Sequence, residues 1–83
     1  MKRTRVKVCC IADAAEADLA IRAGADALGL VGPMPPGPGV IDDALSAEIA
    51  AGVPPPVATF LLTSATTAAA ILDHVGRVAP SVV

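Results

Sequence analysis

Apolar stretches punctuate the chain, and the residues between them alternate at helical spacing. The first stretch, Val6 to Ile11 (VKVCCI), is rich in β-branched side chains and almost free of polar ones. Such a run predicts a parallel strand covered on both faces. Asp13 then opens DAAEADLAIRAG, with Glu16 three residues on as in a capping box. Ala17, Ala20 and Ile21 fall on one helical stripe, with Leu19 beside it. Gly24 suits the left-handed position that ends a helix. ADALGLV follows at once as a second strand of the buried type. Strand, helix and strand joined this tightly make a βαβ unit, so the sheet is expected to be parallel.

GPMPPGPG, residues 32–39, interrupts the pattern, because proline and glycine exclude both helix and interior strand. This loop leaves the carboxyl end of the second strand, the end where parallel α/β folds carry their chemistry. Asp42 or Asp43 starts a second helix that runs to about Ala51, and Gly52 with Pro54, Pro55 and Pro56 ends it. VATFLL predicts a third strand. TSATTAAAILDHVG predicts a third helix, with Thr63 or Ser64 as N-cap and Gly76 as its stop. SVV begins a fourth strand. The pattern is β-α-β-α-β-α-β, so the fold class expected is α/β. A final aliphatic strand would be an unprotected sheet edge. Residues 1–83 are therefore expected to be a partial domain of a larger parallel fold, about three βα units and the start of a fourth strand.

Composition narrows the function classes. Of the 83 residues, 54% are hydrophobic and 17% charged, which excludes a disordered chain despite the prolines. The net charge of −2 gives no broad attraction for a phosphate backbone. Lys2, Arg3, Arg5 and Lys7 cluster, but no aromatic interleaves them to stack on bases, so no nucleic-acid partner is expected. No apolar run is long enough to span a bilayer, and no secretory leader is evident, so no membrane partner is expected. Cys9 and Cys10 are neighbours and make no disulfide framework; a reducing cytoplasm fits them.

Two stretches carry a resemblance. RVKVCCI and the later AGADALGLV resemble the amino end of the phosphoribosylanthranilate isomerase family, whose opening is Lys-hydrophobic-Cys-Gly-hydrophobic followed by a helix and a Gly-Ala-Asp…Gly strand. Lys7, Val8 and Cys9 match the first motif, and Gly24, Ala25, Asp26 and Gly29 match the second. The resemblance implies the amino-terminal half of a TIM (β/α)8 barrel. It also implies an Amadori rearrangement of N-(5-phosphoribosyl)anthranilate to 1-(o-carboxyphenylamino)-1-deoxyribulose 5-phosphate, a small phosphorylated substrate, without metal or organic cofactor.

In that chemistry one group protonates the furanose ring oxygen and another removes the proton from C2′. By resemblance, Cys9 occupies the position of the general base, since a thiol at the carboxyl end of a barrel strand faces the substrate cavity. Lys7, two residues away on the same face, is a possible supporting charge. Cys10 stands where the family has glycine, a residue that allows close backbone approach or a positive φ. It is expected to point away from Cys9, into the helical layer. The 32–39 loop has no cation where the family ends near Ser-Pro-Arg, and Leu30 replaces a usual phenylalanine. The family's aspartate acid and its phosphate loops belong to later strands. The chain alone is accordingly expected to be inactive. The alternatives are a barrel relative with a changed substrate and a non-catalytic half-barrel that assembles with a partner, including a second copy through its open strand edges.

The other charged residues read as structure. Asp13 and Glu16 cap a helix, Asp26 sits at the start of its strand, and Asp42, Asp43 and Glu48 are helix-end or solvent-facing charges. His74, beside Asp73, has no second histidine or cysteine at ligand spacing, so no metal site is expected. It is placed at a helix end or toward solvent.

Overall fold

A computed structural model describes residues 3–32 and 41–83. Strand β1 (Lys7–Val8), helix α1 (Ala14–Arg22), strand β2 (Ala27–Val31), helix α2 (Asp43–Gly52), strand β3 (Ala58–Leu62) and helix α3 (Ala68–Val78) follow in that order. The three strands form one parallel sheet in the order β1-β2-β3. Lys7 pairs with Ala27 and Ala27 with Ala58; Gly29 pairs with Phe60 and Val31 with Leu62. Val82 makes a further parallel bridge to Phe60, on the free edge of β3.

The helices cover one face of this sheet. Leu28, Leu30 and Leu61 project into that layer and meet Ile11, Ala17, Ile49 and Val78 in a single apolar cluster. Burial alternates along β3: Thr59 and Leu61 are buried, while Ala58, Phe60 and Leu62 are only half-buried. One face is therefore packed and the other left open. Only β2, flanked on both sides by strands, is buried along its whole length.

The capping chemistry holds the helices where the sequence places them. Asp13 accepts from the Glu16 N–H at 2.7 Å, while the Glu16 carboxylate accepts from the Ala12 N–H at 3.1 Å. Asp42 caps α2 by accepting from the Leu45 N–H at 2.8 Å. Gly24 has φ 102°, the positive value its role as a helix stop requires.

Three expectations are corrected. The first strand is two residues long instead of six, because Cys10 takes a left-handed conformation (φ 58°) that ends the extended run. The chain is thereby re-aimed, and Ile11 becomes the fully buried residue, with its N–H bonded to the Gly29 carbonyl at 3.2 Å. β1 is also not covered on both faces, since Lys7 is exposed and Val8 half-buried. Finally, α3 starts later and ends later than the pattern suggests. Thr67 is its N-cap, accepting from the Ala70 N–H at 3.2 Å. Gly76 lies within the helix, which ends instead at Ala79 in a left-handed conformation. Pro80 follows Ala79, and a proline disfavours right-handed helical geometry in the residue before it.

Candidate functional site

The open face of the sheet carries the residues that the sequence singles out. The register sets Cys9 beside Gly29, one residue beyond the last β1 pair. A Cβ on Gly29 would lie 2.7 Å from the Cys9 Sγ and 3.0 Å from the Cys9 Cα. Glycine is thus required at position 29 for the Cys9 side chain to lie over β2. Lys7, on the same face, holds its Nζ 5.4 Å from the centroid of the Phe60 ring. That is within the range of a cation–π contact. Lys7, Cys9, Gly29 and Phe60 consequently share the face that no helix among the described residues covers. Toward the amino ends of the strands, Lys7, Asp26, Ala27, Phe60 and Val82 border a hollow of about 360 Å³, whose lining does not include Cys9 or Gly29.

Cys9 and Cys10 are both free thiols and both exposed. The placement of Cys10 in the helical layer is overturned. At a positive φ the ordinary alternation of strand side chains is lost, and Ile11 takes the interior position. The Cys10 thiol is pushed above its ordinary value, first by loss of solvation around it and then by a hydrogen bond with Cys9. The Cys9 and Glu16 charges act in the same direction, and the Lys7 charge opposes them.

Asp26 lies at the opposite end of the sheet. It holds Arg3 through both carboxylate oxygens and accepts from the Val6 N–H at 2.8 Å, while its own N–H donates to the Val6 carbonyl at 2.9 Å. The Arg3 hydrogen bonds, followed by the Val6 N–H, hold its carboxyl down at about 2. It clasps the amino-terminal segment to β2, the structural part that its place at the strand start suggests.

His74 corrects the sequence reading most sharply. It is buried instead of solvent-facing, with 6% of its surface exposed. Its Nδ1 lies 2.8 Å from the Thr63 Oγ1 and its Nε2 2.7 Å from the Asp43 Oδ1. Arg77 pairs with the other oxygen of Asp43 and, at 3.2 Å, with Asp73. The Thr63 hydroxyl oxygen also accepts from the Ala65 N–H at 3.1 Å, so it is engaged away from the helix start. Thr63, Asp43, His74 and Arg77 border a cavity of about 290 Å³ at the carboxyl end of β3. A Cβ on Gly32 would stand 2.6 Å from the His74 Cε1, so that glycine makes room for the ring.

Among the described residues, no group of three or more His, Cys, Asp and Glu side chains is arranged to hold a metal ion. None of their helices is long and apolar enough to cross a membrane. The altered loop at 32–39 lies, apart from Gly32, outside the described residues.

No family model matches the chain. Individual proteins do. The chain is 36% identical over 81 residues to N-(5'-phosphoribosyl)anthranilate isomerase of Haloarcula marismortui, with 96% of this chain and 38% of that protein aligned. It is 40% identical over 81 residues to the enzyme of the same name from Natronomonas pharaonis, with 96% and 39% aligned. Among solved structures, phosphoribosyl anthranilate isomerase in complex with reduced 1-(o-carboxyphenylamino)-1-deoxyribulose 5-phosphate superposes with a TM-score of 0.85 at 28% identity. That match covers 94% of this chain and 40% of the other. The Thermotoga maritima enzyme gives the same TM-score and identity, covering 94% and 38%. The chain thus spans about two-fifths of the length of the relatives it matches. By sequence and by structure it is similar to the amino-terminal portion of phosphoribosylanthranilate isomerases, and its fold is the amino-terminal half of a TIM (β/α)8 barrel.

Proposed function

We propose that the chain supplies the first βα units of an enzyme that carries out the Amadori rearrangement of phosphoribosylanthranilate, with Cys9 as the general base. The observation that supports this reading most directly is the seat of Cys9. Its thiol lies against Gly29 on the open face, at the carboxyl end of β1, where a substrate enclosed by a full barrel would lie. The thiolate is the basic form of cysteine and takes the C2′ proton, becoming a neutral thiol; the enolamine so formed becomes the aminoketose by gaining a proton at C1′ and losing the one on its C2′ hydroxyl, and loss of the thiol proton restores the thiolate. Lys7 stands on the same face and supplies positive charge beside the developing anion. The group that protonates the ring oxygen, and the loops that hold the substrate phosphate, come from later strands of the barrel. The substrate is a small phosphorylated sugar derivative, and the reaction belongs to the cytoplasm and to amino-acid biosynthesis.

The 83 residues alone are inactive under this reading. The outer edge of β1 is unpaired among the described residues, and at the other edge Val82 makes only a single bridge. The isolated chain is therefore expected to self-associate through those edges, and sedimentation of a clean monomer at micromolar concentration would overturn that part.

The experiment fuses this chain to the carboxyl-terminal portion of a curated relative and measures turnover of phosphoribosylanthranilate. The fusion is expected to turn over substrate, and Cys9→Ala to lower kcat by ~100-fold or more with little change in KM. A folded Cys9→Ala fusion within a few-fold of its parent would remove Cys9 from the base position.

A further inference from the structure

Thr63, His74 and Asp43 form a hydrogen-bonded relay that the proposed proton transfer from C2′ does not use. The Thr63 Oγ1 lies 2.8 Å from the His74 Nδ1, and the His74 Nε2 lies 2.7 Å from the Asp43 Oδ1. Thr63 follows β3, His74 lies within α3 and Asp43 opens α2, so only the folded chain brings them together. The partners fix the tautomer. The Asp43 carboxylate, which also pairs with Arg77, can only accept, so Nε2 of the neutral ring donates to it. Nδ1 is then the acceptor, and the Thr63 hydroxyl donates to it. The Ala65 N–H occupies one lone pair of the Thr63 oxygen at 3.1 Å and leaves the other. His74 is buried, so little water competes for either of its bonds. Thr63 is half-buried and borders the cavity of about 290 Å³ together with His74, Asp43 and Arg77. A hydroxyl held on a histidine base, itself oriented by a carboxylate, is the arrangement that activates an oxygen nucleophile.

We propose that this relay is an acyl-transfer site that hydrolyses small neutral esters, with Thr63 as nucleophile, His74 as its base and Asp43 as the residue that positions the ring. The Thr63 oxygen bonds to the ester carbonyl carbon while its proton passes to the His74 Nδ1. The carbon–oxygen bond to the leaving alcohol then breaks, and the alcohol takes that proton from Nδ1. Water attacks the acylated Thr63 through the same base, which releases the carboxylic acid and restores the hydroxyl. The walls of the cavity set the substrate class. Asp43 and Asp73 outnumber Arg77 among the residues that border it, so an anionic ester is disfavoured. Arg77 carries more N–H donors than its two carboxylate contacts use, and it is the group placed to meet the carbonyl oxygen as that oxygen gains charge. The site stands apart from the isomerase reading, since none of its residues takes part in the chemistry at Cys9.

The probe is p-nitrophenyl acetate, added to the folded 83-residue chain after its two exposed thiols have been blocked with iodoacetamide. The chain is expected to release p-nitrophenolate over many turnovers, and acid quenching should trap an acetyl group on the peptide that carries Thr63. Thr63→Val keeps the shape of the side chain and removes the hydroxyl; it should lower the rate by ~100-fold or more. Thr63→Ser should retain activity. His74→Gln keeps a hydrogen-bonding side chain without a base and should lose as much as Thr63→Val. Asp43→Asn should lower kcat with little change in KM, because Asp43 acts through His74. Circular dichroism establishes that each variant is folded, and mapping the acetyl group needs no variant at all. Three results would each overturn the proposal: a parent chain no faster than folded Thr63→Val, a folded His74→Gln that matches the parent, or an acetyl group found on an amine instead of Thr63.

Discussion

The His74–Asp43 contact makes a quantitative test of how the carboxyl end of the half-barrel is held. The ring joins the end of β3, through Thr63, to the first residue of α2, and it does so from within α3. His74→Ala removes one hydrogen bond to a hydroxyl, worth about 0.5–1.5 kcal/mol, and one to a carboxylate, worth about 1.5–3 kcal/mol when shielded. The Asp43 side chain retains 20% of its exposure, and solvent trims the second figure toward ~1–2 kcal/mol. Loss of the buried ring adds a packing cost. The single variant should therefore lose ~2–4 kcal/mol. In a chain of this size each kcal/mol moves Tm by about 4–8 °C. The informative quantity is the coupling. Thermal and urea unfolding of the parent, His74→Ala, Asp43→Ala and the double variant should give an interaction of ~1–2 kcal/mol between the two sites. The cycle cancels the loss of the Arg77 pair and of ring packing, which the single variants contain. A coupling below about 0.5 kcal/mol, the level at which independent sites add, would show that the contact does not hold α2 to α3.

Three further outcomes follow from other residues. Asp26 titrates at about 2 in the folded chain against an ordinary 3.8, so its clasp contributes stability that is complete above 3.8 and is lost as pH falls through about 2; acid unfolding followed by circular dichroism should show this loss, and Asp26→Asn should flatten it. Ser46 is fully buried in α2, and its Oγ has no hydrogen-bond partner among the described residues; Ser46→Ala should stabilise by about 1 kcal/mol, seen as a raised urea midpoint, and a lowered midpoint would contradict it. Gly29→Ala should displace the Cys9 side chain, changing its alkylation rate and destabilising the fold, whereas an unchanged rate would contradict the close seat of that sulfur on β2.

The parallel order of elements was legible because it rests on local rules. Asp13, Glu16 and Asp42 cap helices from adjacent positions, and Gly24 stops one with the conformation that glycine supplies. The family resemblance was likewise legible, because Lys7, Cys9, Asp26 and Gly29 stand in two short motifs. What escaped the sequence depends on partners far along the chain. His74 is 31 residues from Asp43 and 11 from Thr63, and no spacing rule joins them. Thr63 is engaged by His74 and Ala65, and Thr67 caps the helix instead. At β1, hydrophobic character alone could not distinguish VKVCCI as a strand from a two-residue strand and a turn. Cysteine in place of the glycine of the resembled family marked the place, since glycine allows close backbone approach or a positive φ, and Cys10 has a φ of 58°.

The Arg3–Asp26 clasp has a practical consequence for handling the molecule. It anchors the amino-terminal segment to the end of the sheet away from the thiols, with Val6 bonded to Asp26 through both main chain and side chain. A tether attached ahead of Arg3 would leave from that far end. Immobilised in this way, the chain would present Cys9, Cys10 and the carboxyl ends of its strands outward, where a complementary barrel fragment or a thiol probe in the flowing phase would meet them first.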